Sequence, residues 1–366
     1  MYWDRAQRES NNHIANYRWD TFDADFNHEF AIGERQKLIY GAGYRYIDVF
    51  GGESSLDAGF SQEFIPPHRH LQLASAFVQD QITLVDDAFF VIAGSKFEHN
   101  DFTGFEVQPT GRLLWTPTTN QSAWLAVSRA VRTPSLAERG LRVTGAPVAP
   151  GVFPQVQPNP DFESEELIAY ELGYRVQATR ALSFDSALFH NDYDKLSVGM
   201  TFPPTAPPPP IFVPLQIGNR ASGETDGAEV AATWRVLQPW RLYGAYTLLK
   251  EHIHSDVQGA FAPELTRETP KQQVYLQSSL DLPHDIDLDV IGRWVDRLPG
   301  FVPPGTPDYF ALDVRLAWRP TKNLELAFVG QGLLDNHHPE FGTNPFIRTT
   351  VTEIERSFYG KLTWRF

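Results

Sequence analysis

The sequence predicts an all-β protein, a transmembrane antiparallel up-and-down β-barrel of about sixteen strands. Three observations predict it. Segments of ten to fourteen residues alternate apolar and polar side chains, the period of a half-buried strand. The connections between them are short and long in turn, as in a meander with its tight turns at one end and its loops at the other. Aromatic residues are abundant, with 9 Trp, 13 Tyr and 26 Phe, yet the longest apolar run is only Ala88 to Gly94. A membrane-crossing helix needs ~20 apolar residues, so the chain crosses a bilayer with strands if it crosses at all. Segments of roughly eleven residues also suit a tilted bilayer crossing better than the ~5–6 residues of ordinary sheets.

The elements follow in order. A partial strand starts at Tyr2. Tyr17 to Ala31 and Leu38 to Phe50 are joined by IGERQK, and the long connection Gly51 to Arg69 contains Pro66 and Pro67. Leu71 to Thr83 and Ala88 to His99 share the turn VDD; Gly104 to Thr116 and Ser122 to Val131 share PTTN. The next connection, Thr133 to Glu165, holds Pro134, Pro147, Pro150, Pro154, Pro158 and Pro160, which rule out one continuous strand. Glu166 to Gln177 and Leu182 to Asp194 share ATRA, before a loop with the tract Pro207 to Pro210, whose extended polyproline form suits a loop and not a ladder. Thr225 to Val236 and Arg241 to His252 share LQPW; Lys271 to Asp281 and Ile286 to Val295 share LPHD. After a loop with Pro299, Pro303, Pro304 and Pro307, Tyr309 to Arg319 and Leu324 to Gly332 share PTKN. The terminal strand, Arg356 to Phe366, sets Phe358, Gly360, Leu362, Trp364 and Phe366 against Ser357, Tyr359, Lys361, Thr363 and Arg365. Aromatics near strand ends, among them Tyr170, Tyr174, Trp234, Trp240, Trp294, Tyr309 and Trp318, read as interfacial girdles.

Composition narrows the function. The mean hydropathy of −0.32 excludes a helical membrane protein, and the formal charge of −14 argues against a nucleic-acid partner, which would require a basic stripe. There is no cysteine, hence no disulfide, thiolate metal site or thiol nucleophile. The opening residues, MYWDRAQRES, have neither a basic nor an apolar signal region, from which no signal peptide is expected. No GxSxG, HExxH, Walker or dinucleotide-binding motif is present, so the protein is read as a non-enzyme.

Several segments in this order resemble the TonB-dependent outer-membrane receptors of Gram-negative bacteria: SRAVRTPSLAERG (128–140), PNPDFESEELIAYELGYR (158–175), ALFHNDYDKL (187–196), GNRASGETDGAEVAATWR (218–235), LLDNHHPEFG (333–342) and the final LTWRF. The resemblance covers the chain from about Leu71 onward. It implies a barrel in the cell outer membrane, bounded by lipid and lipopolysaccharide and inserted by the barrel assembly machinery, which would read Phe358, Leu362, Trp364 and Phe366. It implies TonB-dependent uptake of a ferric siderophore or a similar scarce ligand, captured by long extracellular loops, with no resident cofactor. Family members also carry an N-terminal plug and a TonB-contacting box, and their barrels have more strands. On that comparison residues 1–366 are one barrel domain without a plug, either the C-terminal, incomplete part of a larger receptor barrel or a plugless homologue. TonB would then act only through a missing N-terminal region.

Arg132, Arg139 and Arg142 in the long loop are the candidates for holding an anionic ligand by charge-assisted hydrogen bonds. Arg175, Arg235, Arg293 and Arg315 on the polar face are read as partners of Glu171, Glu229, Asp289 and Asp313 in cross-strand ladders that hold the wall. Of three histidine pairs, His68/His70, His252/His254 and His337/His338, the i, i+2 spacing makes His252 and His254 candidates for a metal, with solvated surface histidine as the plainer reading. Two alternatives stand beside the receptor: a passive porin of about sixteen strands closed by pairing the Tyr2 strand with the terminal one, and a soluble β-propeller or sandwich adhesin.

Overall fold

Among the described residues, period-two alternation is realised as sixteen strands of eight residues or more, each antiparallel to its neighbour in sequence order. The computed structural model describes residues 1–9, 16–51, 54–55, 61–205, 207–257, 269–300, 305–342 and 351–366. Pro303 and Pro304, read above as loop residues, lie outside these. The first half of the wall comprises β1 (Tyr2–Glu9), β2 (Asn16–Ile32), β3 (Gln36–Gly51), β4 (His68–Val85), β5 (Phe89–Asn100), β6 (Gly104–Thr118), β7 (Gln121–Arg132) and β8 (Glu165–Thr179). The second comprises β9 (Leu182–Thr201), β10 (Ile211–Leu237), β11 (Trp240–Ser255), β12 (Gln272–Leu282), β13 (Ile286–Val295), β14 (Tyr309–Thr321), β15 (Leu324–Gln331) and β16 (Ser357–Trp364).

Every short connection of the sequence reading is a tight turn. His284 and Asp285 both adopt positive φ, 67° and 58°, which gives the LPHD hairpin the twist its flanking strands need. With the register so set, the two faces separate. Leu113 pairs with Leu125, Leu125 with Leu172 and Leu172 with Leu188, an unbroken apolar row in which Leu125 and Leu172 are each 52% exposed. A face of that kind needs a hydrocarbon solvent. On the terminal strand Phe358, Leu362 and Trp364 continue it opposite Gly330, Leu326 and Leu324.

The opposite face is polar and laced with ion pairs. Two of the expected cross-strand pairings form: Arg315 lies 2.9 Å from Asp289, directly across the ladder, and Arg293 reaches Asp313 at 3.5 Å. Arg315 also lies 2.9 Å from Glu325. Arg175 differs, because the register sets it opposite Asp185, at 2.5 Å, and not beside Glu171. Arg235 makes no ion pair with Glu229 among the described residues.

Two further differences matter. The hairpin β9–β10 rises well beyond the expected boundaries at Asp194 and Thr225, past a bulge around Lys195, whose φ is 56°. The proline-rich loop after β7 is also not simply irregular. Leu141–Thr144 pairs with Ser61–Phe64 on one side and with Val152–Gln157 on the other, and the latter runs parallel to the start of β10. The loops thus add short strands that extend the wall sheet beyond the hairpins. Among the described residues β1 pairs only with β2 and β16 only with β15, so the ladder that would close the porin alternative is not formed.

Candidate functional site

The loop after β7 folds over the outer end of the polar face. Its single helical turn, Leu136–Gly140, starts in a capping box: Ser135 Oγ accepts from the Glu138 amide, and Glu138 Oε2 accepts from the Ser135 amide at 2.7 Å. Leu136 then packs with Trp19 and Leu141 against the buried Tyr17 and Phe64. Beneath it lies a cavity of about 290 Å³ lined by Trp19, Arg45, Ile47, Val49, Leu71, Leu73, Phe102, Pro134 and Leu136, among others. Rings and aliphatic chains dominate the lining, Asp101, Gln72, Asn100 and Thr133 add polar edges, and the Arg45 guanidinium is held by Asp23 at 2.5 Å, so the cavity suits a flat, largely apolar group.

Beside this cavity two cations share one ring. The guanidinium carbons of Arg69 and Arg139 lie 5.7 and 5.5 Å from the Phe102 ring centroid. Arg139 donates to the Phe102 and Pro160 carbonyls. Among the described residues no carboxylate lies within ion-pair distance of either arginine. Burial, followed by the neighbouring Arg69 charge, pulls Arg139 below the ordinary guanidinium value. Asp161 acts on Arg139 from beyond ion-pair distance, so the pair is a positive centre with no carboxylate in direct contact.

The three expected arginines converge on this loop but divide by role. Arg132 lies 2.7 Å from Glu138 and 2.8 Å from Glu165, tying β7, the helical turn and β8 together. Hydrogen bonds to Glu165 and then Glu138 raise it above its ordinary value. Arg142 lies 2.9 Å from Glu63 and joins two of the short loop strands. Both are occupied by carboxylates; Arg139 is not. Arg69 and Phe102 were not singled out by sequence, since each is an ordinary residue at a strand end and only the fold brings them within reach of Arg139.

The Arg132 strut has a pH signature. Burial pushes Glu165 up, but hydrogen bonds from Arg132 and Ser197 outweigh it and hold the carboxyl below the ordinary glutamate range. A carboxylate with a depressed folded value contributes stability above its unfolded value and loses it as pH falls through the folded one. Trp19 emission, isolated as the difference from Trp19→Phe, is therefore expected to stay constant at neutral pH and to shift red as pH falls below about 4.3. Arg132→Ala should produce that shift at pH 7; unchanged emission in the variant would refute the strut.

The histidine pairs have separate surroundings. His254 Nε2 lies 3.0 Å from Ser222 Oγ and His252 stands opposite Glu224, but neither belongs to a three-donor cluster among the described residues. His337 lies 2.8 Å from Glu353, and the buried His338 stacks on Tyr309 with centroids 4.1 Å apart. His68 and His70 both lie against Asp48.

Comparison with known proteins gives a consistent result. Residues 2–331 match the model of a family described as TonB dependent receptor-like, beta-barrel. No curated protein matches the chain by sequence. Among solved structures, the siderophore receptor PirA from Pseudomonas aeruginosa is 13% identical with a TM-score of 0.71, the match covering 96% of this chain and 57% of that one. A variant of the ferric enterobactin receptor PfeA from Pseudomonas aeruginosa is 16% identical with a TM-score of 0.73, over 96% of this chain and 54% of that one. The FrpB iron transporter from Neisseria meningitidis is 13% identical with a TM-score of 0.69, over 96% and 56%. The chain thus spans a little over half the length of these structures, and at such identities the likeness is one of fold.

Proposed function

The chain belongs to the TonB dependent receptor-like β-barrel family, and from that premise we propose that it is the barrel of an outer-membrane receptor for an anionic scarce ligand such as a ferric siderophore. The observation that carries this reading is the Arg69–Phe102–Arg139 group, two cations on one ring without a carboxylate in ion-pair contact, beside a cavity lined largely by apolar side chains. Anionic aryl or hydroxamate chelates offer oxygen acceptors for the guanidinium groups and flat surface for Trp19 and Phe102. Arg139 makes ligand contact, while Arg132 and Arg142 hold the loop that presents it.

The wall sits in the outer membrane of a Gram-negative bacterium. Its leucine row contacts lipid, the raised β9–β10 hairpin stands among lipopolysaccharide, and the assembly machinery reads Phe358, Leu362, Trp364 and Phe366. Release inward requires TonB acting on a plug, with residues 1–366 as the barrel domain. At the end of the wall that carries the tight turns lies a large recess of mixed lining, where Asp86, Asn120, Arg175 and Asp185 meet Ala88, Val176, Phe184 and Tyr243.

Binding of ferric catecholate and ferric hydroxamate chelates to the purified full-length protein, followed by quenching of tryptophan emission, tests the reading. Arg69→Ala and Arg139→Ala are each expected to weaken binding about tenfold or more, since a hydrogen bond to a charged group contributes ~1.5–3 kcal/mol. Equal affinity in both variants, or no binding of any anionic chelate, would overturn it.

A further inference from the structure

Outside the lumen, on the opposite face of the same wall, we propose that Asp48, His68 and His70 form a binding site for a divalent transition-metal ion. His68 and His70 are the first and third residues of β4, so both side chains leave the strand on one face. Asp48 on β3 is in register with His70, and Phe50 with His68. Asp48 Oδ1 lies 2.6 Å from His68 Nε2 and 3.1 Å from His70 Nδ1, and the three donor atoms are all within 4.8 Å of one another. A tetrahedral ion with bonds of 2.0–2.2 Å places its ligand atoms about 3.3 Å apart. Small rotations of three partly exposed side chains reach that spacing with no movement of the backbone.

Charge favours the ion as well. Asp20, opposite Asp48 on β2, is taken by Arg5 at 2.5 Å and Arg18 at 3.3 Å, whereas among the described residues Asp48 has no arginine or lysine partner. Its negative charge is left to the two imidazoles. Tyr46 Oη stands 2.7 Å from His70 Nδ1. A neutral His70 with its proton on Nε2 presents the Nδ1 lone pair, the atom that a metal would take together with Asp48 Oδ1 and His68 Nε2.

Two imidazoles and one carboxylate select zinc, nickel or copper over magnesium or calcium. The other three-donor group, His190, Asp192 and Glu224, offers one imidazole, which Asp226 also engages at 2.9 Å, and serves as an internal control.

Calorimetric titration of the purified full-length protein in detergent micelles with zinc chloride and with nickel chloride tests the site. One saturable event is expected, weakened at least tenfold by His70→Ala and by Asp48→Asn and unchanged by His190→Ala. Undiminished binding in the first two variants, or loss in His190→Ala alone, would overturn the proposal. A measurement on the unaltered protein guards against variants that fold poorly: one equivalent of Cu²⁺ should give an electron paramagnetic resonance spectrum with two coupled imidazole nitrogens, and a spectrum with none would be equally decisive against it. Neither readout depends on ligand capture in the lumen.

Discussion

Gly94→Val is expected to lower the folded yield of the protein sharply, while Gly111→Val, one strand away, leaves it unchanged. Both glycines lie inside wall strands, and neither has a positive φ, so backbone preference does not separate them. Space does. A Cβ at Gly94 would lie 2.6 Å from the Val78 carbonyl oxygen and 3.0 Å from Gln79 Cα, both backbone atoms of β4, whereas one at Gly111 would meet nothing within 4 Å. The first contact can be relieved only by parting β4 from β5. In a bilayer that strands ladder groups with no water to receive them, a cost of several kcal/mol for each group. Overpacking alone typically costs ~1–3 kcal/mol, so a loss of about 3 kcal/mol or more is expected for Gly94→Val. At Gly111 a β-branched residue fits a strand better than glycine does. Heat-modifiable gel mobility and the urea midpoint of the protein in liposomes measure both; equal midpoints would show that the strands yield where the geometry says they cannot.

Phe366→Ala is expected to lower the amount of protein assembled in the membrane and to leave the ligand affinity of the assembled fraction unchanged. The backbone just before it is pinned, because the Arg365 amide donates to Asn323 O at 2.8 Å and Asn323 Nδ2 donates to Arg365 O at 2.9 Å. The ring itself projects fully exposed beyond β16. Its removal therefore breaks no ladder contact and leaves the outer loops untouched. What it removes is apolar surface where the strand meets the membrane interface, about 2–3 kcal/mol if fully buried there, together with the terminal aromatic that the assembly machinery is proposed to read. Membrane-fraction yield set against chelate affinity separates the two effects. Normal yield of embedded protein would count against the assembly role.

How far the sequence could be read follows from which interactions are local. The hairpins were legible because each is specified within about thirty residues by alternation and a turn, as in Lys271 to Val295 around LPHD. The tops of β9 and β10 were not, because the bulge at Lys195 shifts the phase of alternation where the strands leave the membrane and neither face must stay apolar. The lumen arginines and the cross-strand partners Asp289 and Asp313 are legible in the sequence, but not that Arg175 meets Asp185 or that Arg315 also reaches Glu325, since those depend on the register. Arg132, Arg139 and Arg142 lie in the expected loop, yet the loop sequence does not tell an arginine tied to carboxylates from one held only by backbone carbonyls. That distinction rests on Glu63 and Glu165, which arrive from other elements.

The sequence by itself determined a wall of antiparallel strands, their number, their short turns and the face each side chain takes, because a period of two and a tight turn are properties of adjacent residues. Only the tertiary structure decided what meets what across that wall. Phe102 between Arg69 and Arg139, and Asp48 between His68 and His70, depend on register and loop packing between distant segments, and one residue of slip would send each partner to the opposite face.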